Sequence, residues 1–213
     1  MPNLSYEDEQ FIEDLDGIKK RYFEMARKCE IYEAALQAHD GWAVPETDGV
    51  DGSFQYIPYD LSGFAAVLIK LADLLPDDPD FRHSRQPIRP LSFCEVGCGI
   101  GRNLNIVKNQ EILPVAKAVG FDIVPEYIET AQRLYDLGED VFVHDAMAFD
   151  YGGFDLVFFY RPFSDDKLEA KFENHLIDSV KSGAVIIGMN TERMDKSRKV
   201  RMLEDFSDCY KKL

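Results

Sequence analysis

Residues 91–103 read LSFCEVGCGIGRN. The first six are mostly apolar or small, with β-forming residues at the centre, and this pattern predicts a short buried parallel strand. Gly97, Gly99 and Gly101 follow at every second position, and glycines spaced this closely are unfavourable unless the backbone turns sharply or lies against a ligand. The residues after them have the spacing of a helix start. We therefore expect a strand, a glycine loop and a helix whose N-terminus offers free backbone N–H groups.

Two common phosphate-binding loops do not fit these glycines. A dinucleotide-binding loop needs glycine at its first, third and sixth positions, and the sixth position counted from Gly97 is Arg102. A P-loop ends in Gly-Lys-Ser/Thr, whereas this loop ends in Gly101-Arg102-Asn103. Neither phosphate-binding pattern is therefore expected.

The segment from Glu95 to Gly101, EVGCGIG, resembles motif I of the class I methyltransferases that use S-adenosylmethionine. The resemblance implies a Rossmann-like fold in which the loop at Gly97, Cys98, Gly99 and Gly101 wraps the methionine and ribose part of the cofactor. It also implies that Glu95 helps to hold the loop and the cationic amino-acid end. The alternative is a glycine-rich turn in an unrelated α/β protein.

Length and charge limit the class of protein. A chain of 213 residues suits one domain, and a hydrophobic content of 46% is enough for a core. The chain has 39 acidic residues and 24 Lys and Arg residues, which gives a net charge of −15. This charge repels a phosphate backbone, so nucleic acid is not an expected substrate. No run of 18 apolar residues occurs, and the first ten residues are acidic rather than basic and apolar. We therefore expect no membrane contact and a cytoplasmic location.

The cysteines do not indicate a metal site. Cys94 and Cys98 form a C-x-x-x-C pair with no second pair or histidine cluster beside it, whereas zinc sites usually combine two close pairs. We expect reduced thiols and no bound metal.

The first 90 residues read as a helical extension with a loop. Apolar residues recur at helical spacing over 5–39, with Gly17 as the place where such a helix would break. The apolar stripe needs a partner, which is either the main domain or a second copy of the chain in a homodimer. Asp60 has the position of an N-cap for a second helix that runs to about Leu75, and a proline-rich linker follows.

The loop over 40–59 combines Gly, Asp and Pro with aromatic residues. These are Trp42, Phe54, Tyr56 and Tyr59. Such a loop is either a lid on the substrate side of a cleft or a segment whose rings tuck into the core.

From residue 91 onward, predicted strands and helices alternate, which indicates a mostly parallel sheet with helices on both faces. The predicted strands cover 91–96, 116–123, 141–143, 154–160 and 183–189, and the predicted helices between them include 126–137 and 165–181. After the fifth strand we expect a helix over 193–206 and at most a short final strand, so that the sheet is shortened at its C-terminal edge. We divide the chain into an N-terminal cap, 1–90, and a Rossmann-like domain, 91–213.

Acidic residues fall at the predicted strand ends. In an open α/β sheet, ligands bind beyond the carboxyl ends of the strands, where Glu95, Asp122 and Asp145 are expected. Asp122 follows Gly101 by 21 positions, close to the separation at which a carboxylate accepts hydrogen bonds from both ribose hydroxyls of a nucleoside. The alternative for each acid taken singly is an exposed carboxylate at a strand end.

The resemblance assigns further roles to these residues. Asp122 corresponds to the motif II acid, and Ile123 after it packs on adenine. Asp145 and Ala146 match motif III, in which the carboxylate accepts from the adenine amino group and the next backbone N–H donates to a ring nitrogen.

The segment after the fourth strand concerns the acceptor. Methyltransferases acting on exocyclic amines of bases or on glutamine amides usually carry N/D-P-P-Y/F there, and residues 159–163 read FYRPF. That substrate class is therefore not expected. Tyr160 and Arg161 lie where the methyl group should point and are the candidate catalytic residues. Arg161 either clamps a carboxylate or phosphate of the substrate or pairs with Asp165 or Asp166.

These observations predict a methyltransferase that moves a methyl group from S-adenosyl-L-methionine to a small-molecule acceptor, or to a protein, by in-line displacement. The alternatives are a non-catalytic module that binds the same cofactor and an NAD-dependent oxidoreductase, against which Arg102 argues.

Overall fold

A computed structural model gives the structure of the chain and describes residues 6–40, 44, 52–54, 56–84, 88–203 and 206–213. The predicted aromatic anchor Trp42 lies outside the described residues. The chain divides into two compact units. The first contains Met1–Trp42, Asp60–Arg89 and Asn109–Pro114, and the second contains Ala43–Tyr59, Pro90–Lys108 and Val115–Leu213. The proposed boundary after residue 90 stays a prediction.

The first unit is helical. Helix α1 (Tyr6–Asp40) runs through Gly17 without a break, and helix α2 (Leu61–Leu74) continues into a 3-10 turn, Leu75–Asp77. The predicted cap of α2 is confirmed, because the Asp60 carboxylate accepts hydrogen bonds from two backbone N–H groups of the first turn, the closer at 2.7 Å. No helix of the described segments is long and apolar enough to cross a membrane.

Contacts between α1 and α2 use part of the predicted apolar stripe. Tyr22 and Ala26 of α1 are buried, and Lys19 forms an ion pair with Asp73 of α2 at 3.2 Å. Tyr32, a further residue of the apolar stripe predicted over 5–39, is exposed.

The second unit is built on a seven-stranded sheet. Its strands are β1 (Leu91–Val96), β2 (Val115–Asp122), β3 (Val141–Val143), β4 (Leu156–Tyr160), β5 (Val185–Met189), β6 (Val200–Leu203) and β7 (Phe206–Lys212). Their order is β3-β2-β1-β4-β5-β7-β6. The first five strands are parallel, and β7 is antiparallel to both of its neighbours. The predicted Rossmann-like sheet is confirmed, and its first five strands lie within two residues of the predicted bounds.

Three helices accompany the parallel strands: α3 (Arg102–Asn109), α4 (Pro125–Tyr135) and α5 (Asp166–Ser179). Two 3-10 turns, Gly138–Asp140 and Met194–Lys196, complete the unit. Cys94 and Val96 of β1 belong to the same buried cluster as Phe172 of α5. Glu95 between them points to the opposite face and contacts Asn103 of α3, because side chains alternate along a strand. Helices therefore cover both faces, as predicted.

The C-terminal edge corrects the prediction. The expected helix over 193–206 and the shortened sheet are both wrong, because residues 200–203 and 206–212 form the two strands of the β6–β7 hairpin that completes the sheet. Lys, Arg, Met and Glu in this segment favour a helix locally, but β7 pairs with β5 through Ile186↔Tyr210 and Ile187↔Cys209. Pairing with a distant buried strand outweighs local propensity. Because β6 and β7 have only four and seven residues, both strands fit in the short segment of chain after β5.

Candidate active site

A cavity of about 220 Å³ lies at the carboxyl ends of the five parallel strands, all within the second unit. It is lined from the β1 end by Glu95, Val96, Gly97 and Cys98, from β2 by Phe121, Asp122, Ile123 and Val124, from β3 by His144, Asp145 and Ala146, and from β4 by Phe158, Tyr160, Arg161, Pro162 and Phe163. Residues 53, 54 and 56–59 and the start of α3 contribute further side chains. Of the predicted site residues, Gly99 and Gly101 are not part of this lining, and the others are brought together in it.

The glycine loop explains those two positions. Gly97, Gly99 and Gly101 all have positive φ, at 67°, 52° and 78°, where side chains are strained. A Cβ at Gly99 would lie 2.4 Å from the Tyr56 ring, and one at Gly101 would lie 2.5 Å from Leu137. The absence of a side chain at Gly99 thus lets the Tyr56 ring pack on the loop, and at Gly101 it lets the loop lie close to the end of α4.

Glu95 is a buried carboxyl group with an unused oxygen. Its Oε1 accepts a hydrogen bond from Asn103 Nδ2 at 2.8 Å, and its Oε2 has no partner among the described residues. Burial raises the pKa of Glu95 to about 8, although the bond from Asn103 acts in the opposite direction. Buried polar atoms in proteins are nearly always paired, so an orphaned oxygen beside a cavity indicates a ligand donor.

Asp122 is held rigidly by backbone groups. Its two carboxylate oxygens accept from the Gly99 N–H at 2.9 Å and the Val124 N–H at 3.0 Å. Burial raises the pKa of Asp122, while these backbone bonds lower it. A carboxylate offers about four lone-pair sites, so each oxygen keeps one for a ligand.

The end of β3 presents a donor and an acceptor side by side. Asp145 is exposed, and its Oδ1 accepts from the Met147 N–H at 2.8 Å. The Ala146 N–H has no hydrogen-bond partner within the part of the chain that the structure describes. His144 donates from Nδ1 to the Asp145 carbonyl oxygen at 2.9 Å, and its ring lies edge-on to Phe121. His144 therefore has a packing role.

The end of β4 holds Tyr160 and Arg161. The Arg161 guanidinium donates to Glu192 Oε1 at 2.9 Å and to the Asn190 carbonyl oxygen at 3.2 Å, and it also pairs with Asp166. Of the two roles predicted for Arg161, the structure shows the ion pair. The Tyr160 ring lies 5.1 Å from that of Tyr59.

The described part of the predicted aromatic loop runs along this edge of the sheet. Ser53 forms an antiparallel bridge with Phe163, and the Ser164 N–H donates to the Gly52 carbonyl at 2.9 Å. At its other end the Tyr56 N–H donates to the Tyr127 hydroxyl at 3.2 Å. We call the described residues 52–54 and 56–59 the strap. Its contacts were missed from sequence, where only the density of aromatic residues among turn formers marked it.

No protein-family model and no curated protein matches the sequence. Solved structures do match the fold. A candidate RNA methyltransferase from Pyrococcus horikoshii aligns with a TM-score of 0.53 at 13% identity, over 83% of this chain and 78% of that one. The chain has the fold of the class I methyltransferases.

Further matches with this methyltransferase fold are weaker. An RNA methyltransferase from Salinibacter ruber in complex with S-adenosyl-L-homocysteine gives a TM-score of 0.47 at 14% identity, over 73% of this chain and 91% of that one. CalS10, an amino pentose methyltransferase from Micromonospora echinaspora, gives 0.44 at 17% identity over 83% of this chain. The chain spans 60% of the length of CalS10.

Proposed function

We propose that this protein is an S-adenosylmethionine-dependent methyltransferase acting on a small molecule. The observation that carries the proposal is the orphaned, buried Glu95 Oε2 beside a cavity that Asp122, on the neighbouring strand, also lines with free lone pairs. A cationic amine beside Glu95 and a ribose diol beside Asp122 satisfy both groups. S-adenosylmethionine carries both.

The remaining lining fits the same cofactor. Asp145 keeps one carboxylate oxygen to accept from an adenine amino group, and the neighbouring Ala146 N–H is a donor for a ring nitrogen. Ile123 lies between these residues and Asp122 with its side chain partly exposed, and it offers an apolar surface to the adenine ring.

The chemistry asks mainly for positioning. Bound S-adenosylmethionine supplies a methyl group on a sulfonium, and the acceptor lone pair bonds to that carbon as the carbon–sulfur bond breaks with its electrons left on sulfur. The chain contributes orientation and exclusion of water. The strap rings Tyr56 and Tyr59 exclude water, while Tyr160 and Arg161 form the acceptor side.

Incubation with cofactor labelled on the methyl group, in the presence of cell extract, tests the activity. We expect label to enter small molecules, and the Asp122→Ala variant to transfer less of it at a cofactor concentration that does not saturate the variant. Label in protein alone would show that the acceptor is a polypeptide. Binding of the cofactor without any transfer would favour a non-catalytic module. Fluorescence titration with NADH tests the oxidoreductase alternative, for which tight binding is required.

A homodimer through α1 is a separate proposal. Phe23, Ile31 and Tyr32 of α1 are exposed, and exposed apolar side chains favour association. Light scattering at micromolar concentration distinguishes a monomer from a dimer, and Ile31→Lys should shift a dimer to monomer.

A further inference from the structure

The sheet order divides the cavity into a cofactor end and an acceptor end. Neighbouring strands lie about 4.8 Å apart, and the parallel part of the sheet runs β3-β2-β1-β4-β5. In the proposed function, Asp145, Asp122 and Glu95 at the ends of β3, β2 and β1 hold the cofactor. The ends of β4 and β5 are then left for the acceptor.

The acceptor end is walled by aromatic rings. The Tyr59 ring lies 5.1 Å from Tyr160 and 5.6 Å from Phe158, and all three residues line the cavity. The Tyr59 hydroxyl donates to Met189 Sδ at 3.6 Å, which fixes the ring. Ring faces attract other rings edge-on or offset, and they attract cations.

The charge at this end is arranged against anions. Arg161 is the cationic side chain that the β4–β5 loops place in the described lining, and two carboxylates, Asp166 and Glu192, already pair with it. Its backbone adopts a left-handed φ of 35°, which side chains seldom adopt. The Asn190 carbonyl oxygen takes a further guanidinium hydrogen. Arg102 of α3 also lines the cavity, and its guanidinium donates to the Tyr59 carbonyl oxygen at 3.4 Å. An incoming carboxylate or phosphate would therefore compete with groups that already hold both arginines.

The mouth of the cavity is apolar. Phe54 and Ile57 of the strap line it and are 40% and 52% exposed. Exposed large apolar side chains around a cleft mark a binding surface for apolar groups.

We propose that the methyl acceptor is a small aromatic molecule without an anionic group, and that its ring packs against Tyr59 and Tyr160. This inference rests on the proposed function. The bond forms between an oxygen or nitrogen lone pair of the acceptor and the methyl carbon as the carbon–sulfur bond breaks and its electron pair stays on sulfur. A proton carried by the acceptor atom leaves to water. The Arg161–Asp166–Glu192 set excludes anionic acceptors.

Calorimetry on the protein saturated with S-adenosylhomocysteine tests the proposal. Three probes share a 4-hydroxyphenyl ring: tyramine is cationic, 4-ethylphenol is neutral and 4-hydroxyphenylacetate is anionic. We expect the first two to bind at least roughly tenfold more tightly than the third. Equal or tighter binding of the anion overturns the proposal, and so does failure of all three to bind at millimolar concentration. Failure of S-adenosylhomocysteine itself to bind would remove the proposed function as well, so the two failures are distinguishable.

Two variants sharpen the test. Combining Asp166→Asn with Glu192→Gln releases the Arg161 guanidinium, and the affinity for 4-hydroxyphenylacetate should rise roughly tenfold. Asp178→Asn, which removes an exposed carboxylate paired with Lys199 elsewhere on α5, is the matched control and should leave it unchanged. Tyr160→Leu should weaken tyramine binding while Tyr160→Phe preserves it. Equal losses in both Tyr160 variants would contradict ring packing.

Discussion

Glu95 is a carboxyl group whose charged form is poorly solvated until a cation arrives. With a pKa raised by burial to about 8, it is largely protonated at neutral pH in the free protein. An ammonium group placed against Oε2 favours the ionised form. Cofactor binding below pH 8 should therefore release a proton from Glu95, and affinity should rise with pH between 6 and 7.5.

Calorimetric titrations of S-adenosylmethionine at pH 7 in phosphate and in Tris buffer measure that proton, because the observed heat then depends on the buffer. The Glu95→Gln variant is the control and should lose the proton release attributed to Glu95. Identical proton release by both proteins would show that Glu95 does not face the ammonium group.

Glu169 has a similar burial with a different consequence. Its Oε2 accepts from the Phe163 N–H at 3.0 Å, its Oε1 has no partner among the described residues, and burial raises its pKa to about 8. Nearby Glu173 also raises this pKa, and Arg161 lowers it. Because the pKa is raised on folding, its contribution to stability is full below about 4.5 and is lost as pH rises through 8.

Glu169→Gln should remove that loss. Urea denaturation at pH 5, 7 and 9 measures the free energy of unfolding of both proteins. As pH rises, the value for the wild type should fall relative to that of the variant, by at most about 1.4 kcal/mol for each unit of pKa shift. A constant difference across this range would contradict a raised pKa. Glu95 contributes with the same sign in both proteins and cancels in the comparison.

At the scale of elements, the important contact at the cavity joins the strap to the glycine loop through Tyr56 and Gly99. At Gly99, a methyl group would clash with the Tyr56 ring at 2.4 Å, and the φ of 52° adds backbone strain. We expect Gly99→Ala to cost about 1–3 kcal/mol of stability and to weaken cofactor binding. Thermal unfolding and calorimetry measure the two effects.

Gly153→Ala is the control, because an added Cβ there meets nothing within 4 Å. Adding Tyr56→Ala to Gly99→Ala should restore part of the stability, since it removes the clash and leaves only the strain. Strictly additive losses would show that the ring does not rest on the loop.

Local signals explain which elements could be predicted. The strand, glycine loop and helix from Leu91 onward depend on neighbouring residues, and so do the Asp60 cap and the helix start at Pro125. The β6–β7 hairpin could not be predicted this way, because its stability comes from pairing with β5 rather than from its own composition.

The residues of the candidate site divide in the same way, into those that local sequence predicts and those that it does not. Glu95 and Asp122 lie at the carboxyl ends of β1 and β2, and Asp145 lies two residues after β3. A parallel sheet therefore implies their shared position. Tyr56 reaches Gly99 across a long stretch of chain, and Arg161 pairs with Glu192 over a separation of 31 positions. Contacts of that kind are set by the folded sheet and strap and leave no periodic pattern in the sequence.

For the whole molecule, the net charge and the sheet order point to the same kind of acceptor. A net charge of −15 disfavours polyanionic substrates, and the acceptor end of the cavity has its arginine already paired with acidic groups. All the described residues that line the cavity belong to the second unit. The proposed enzyme thus holds its cofactor on the first three strands of the sheet order and leaves the next two for an uncharged or cationic acceptor.

Binding of S-adenosylhomocysteine to wild-type protein and to Asp122→Ala, measured by calorimetry, tests the central claim most directly. Glu129→Ala, which removes an exposed carboxylate of α4, is the matched control. The proposed site predicts micromolar or tighter binding to the wild type and to the control, and a loss of about 1.5–3 kcal/mol in Asp122→Ala. No binding below about millimolar to the wild type, or an unchanged affinity in Asp122→Ala, would contradict it.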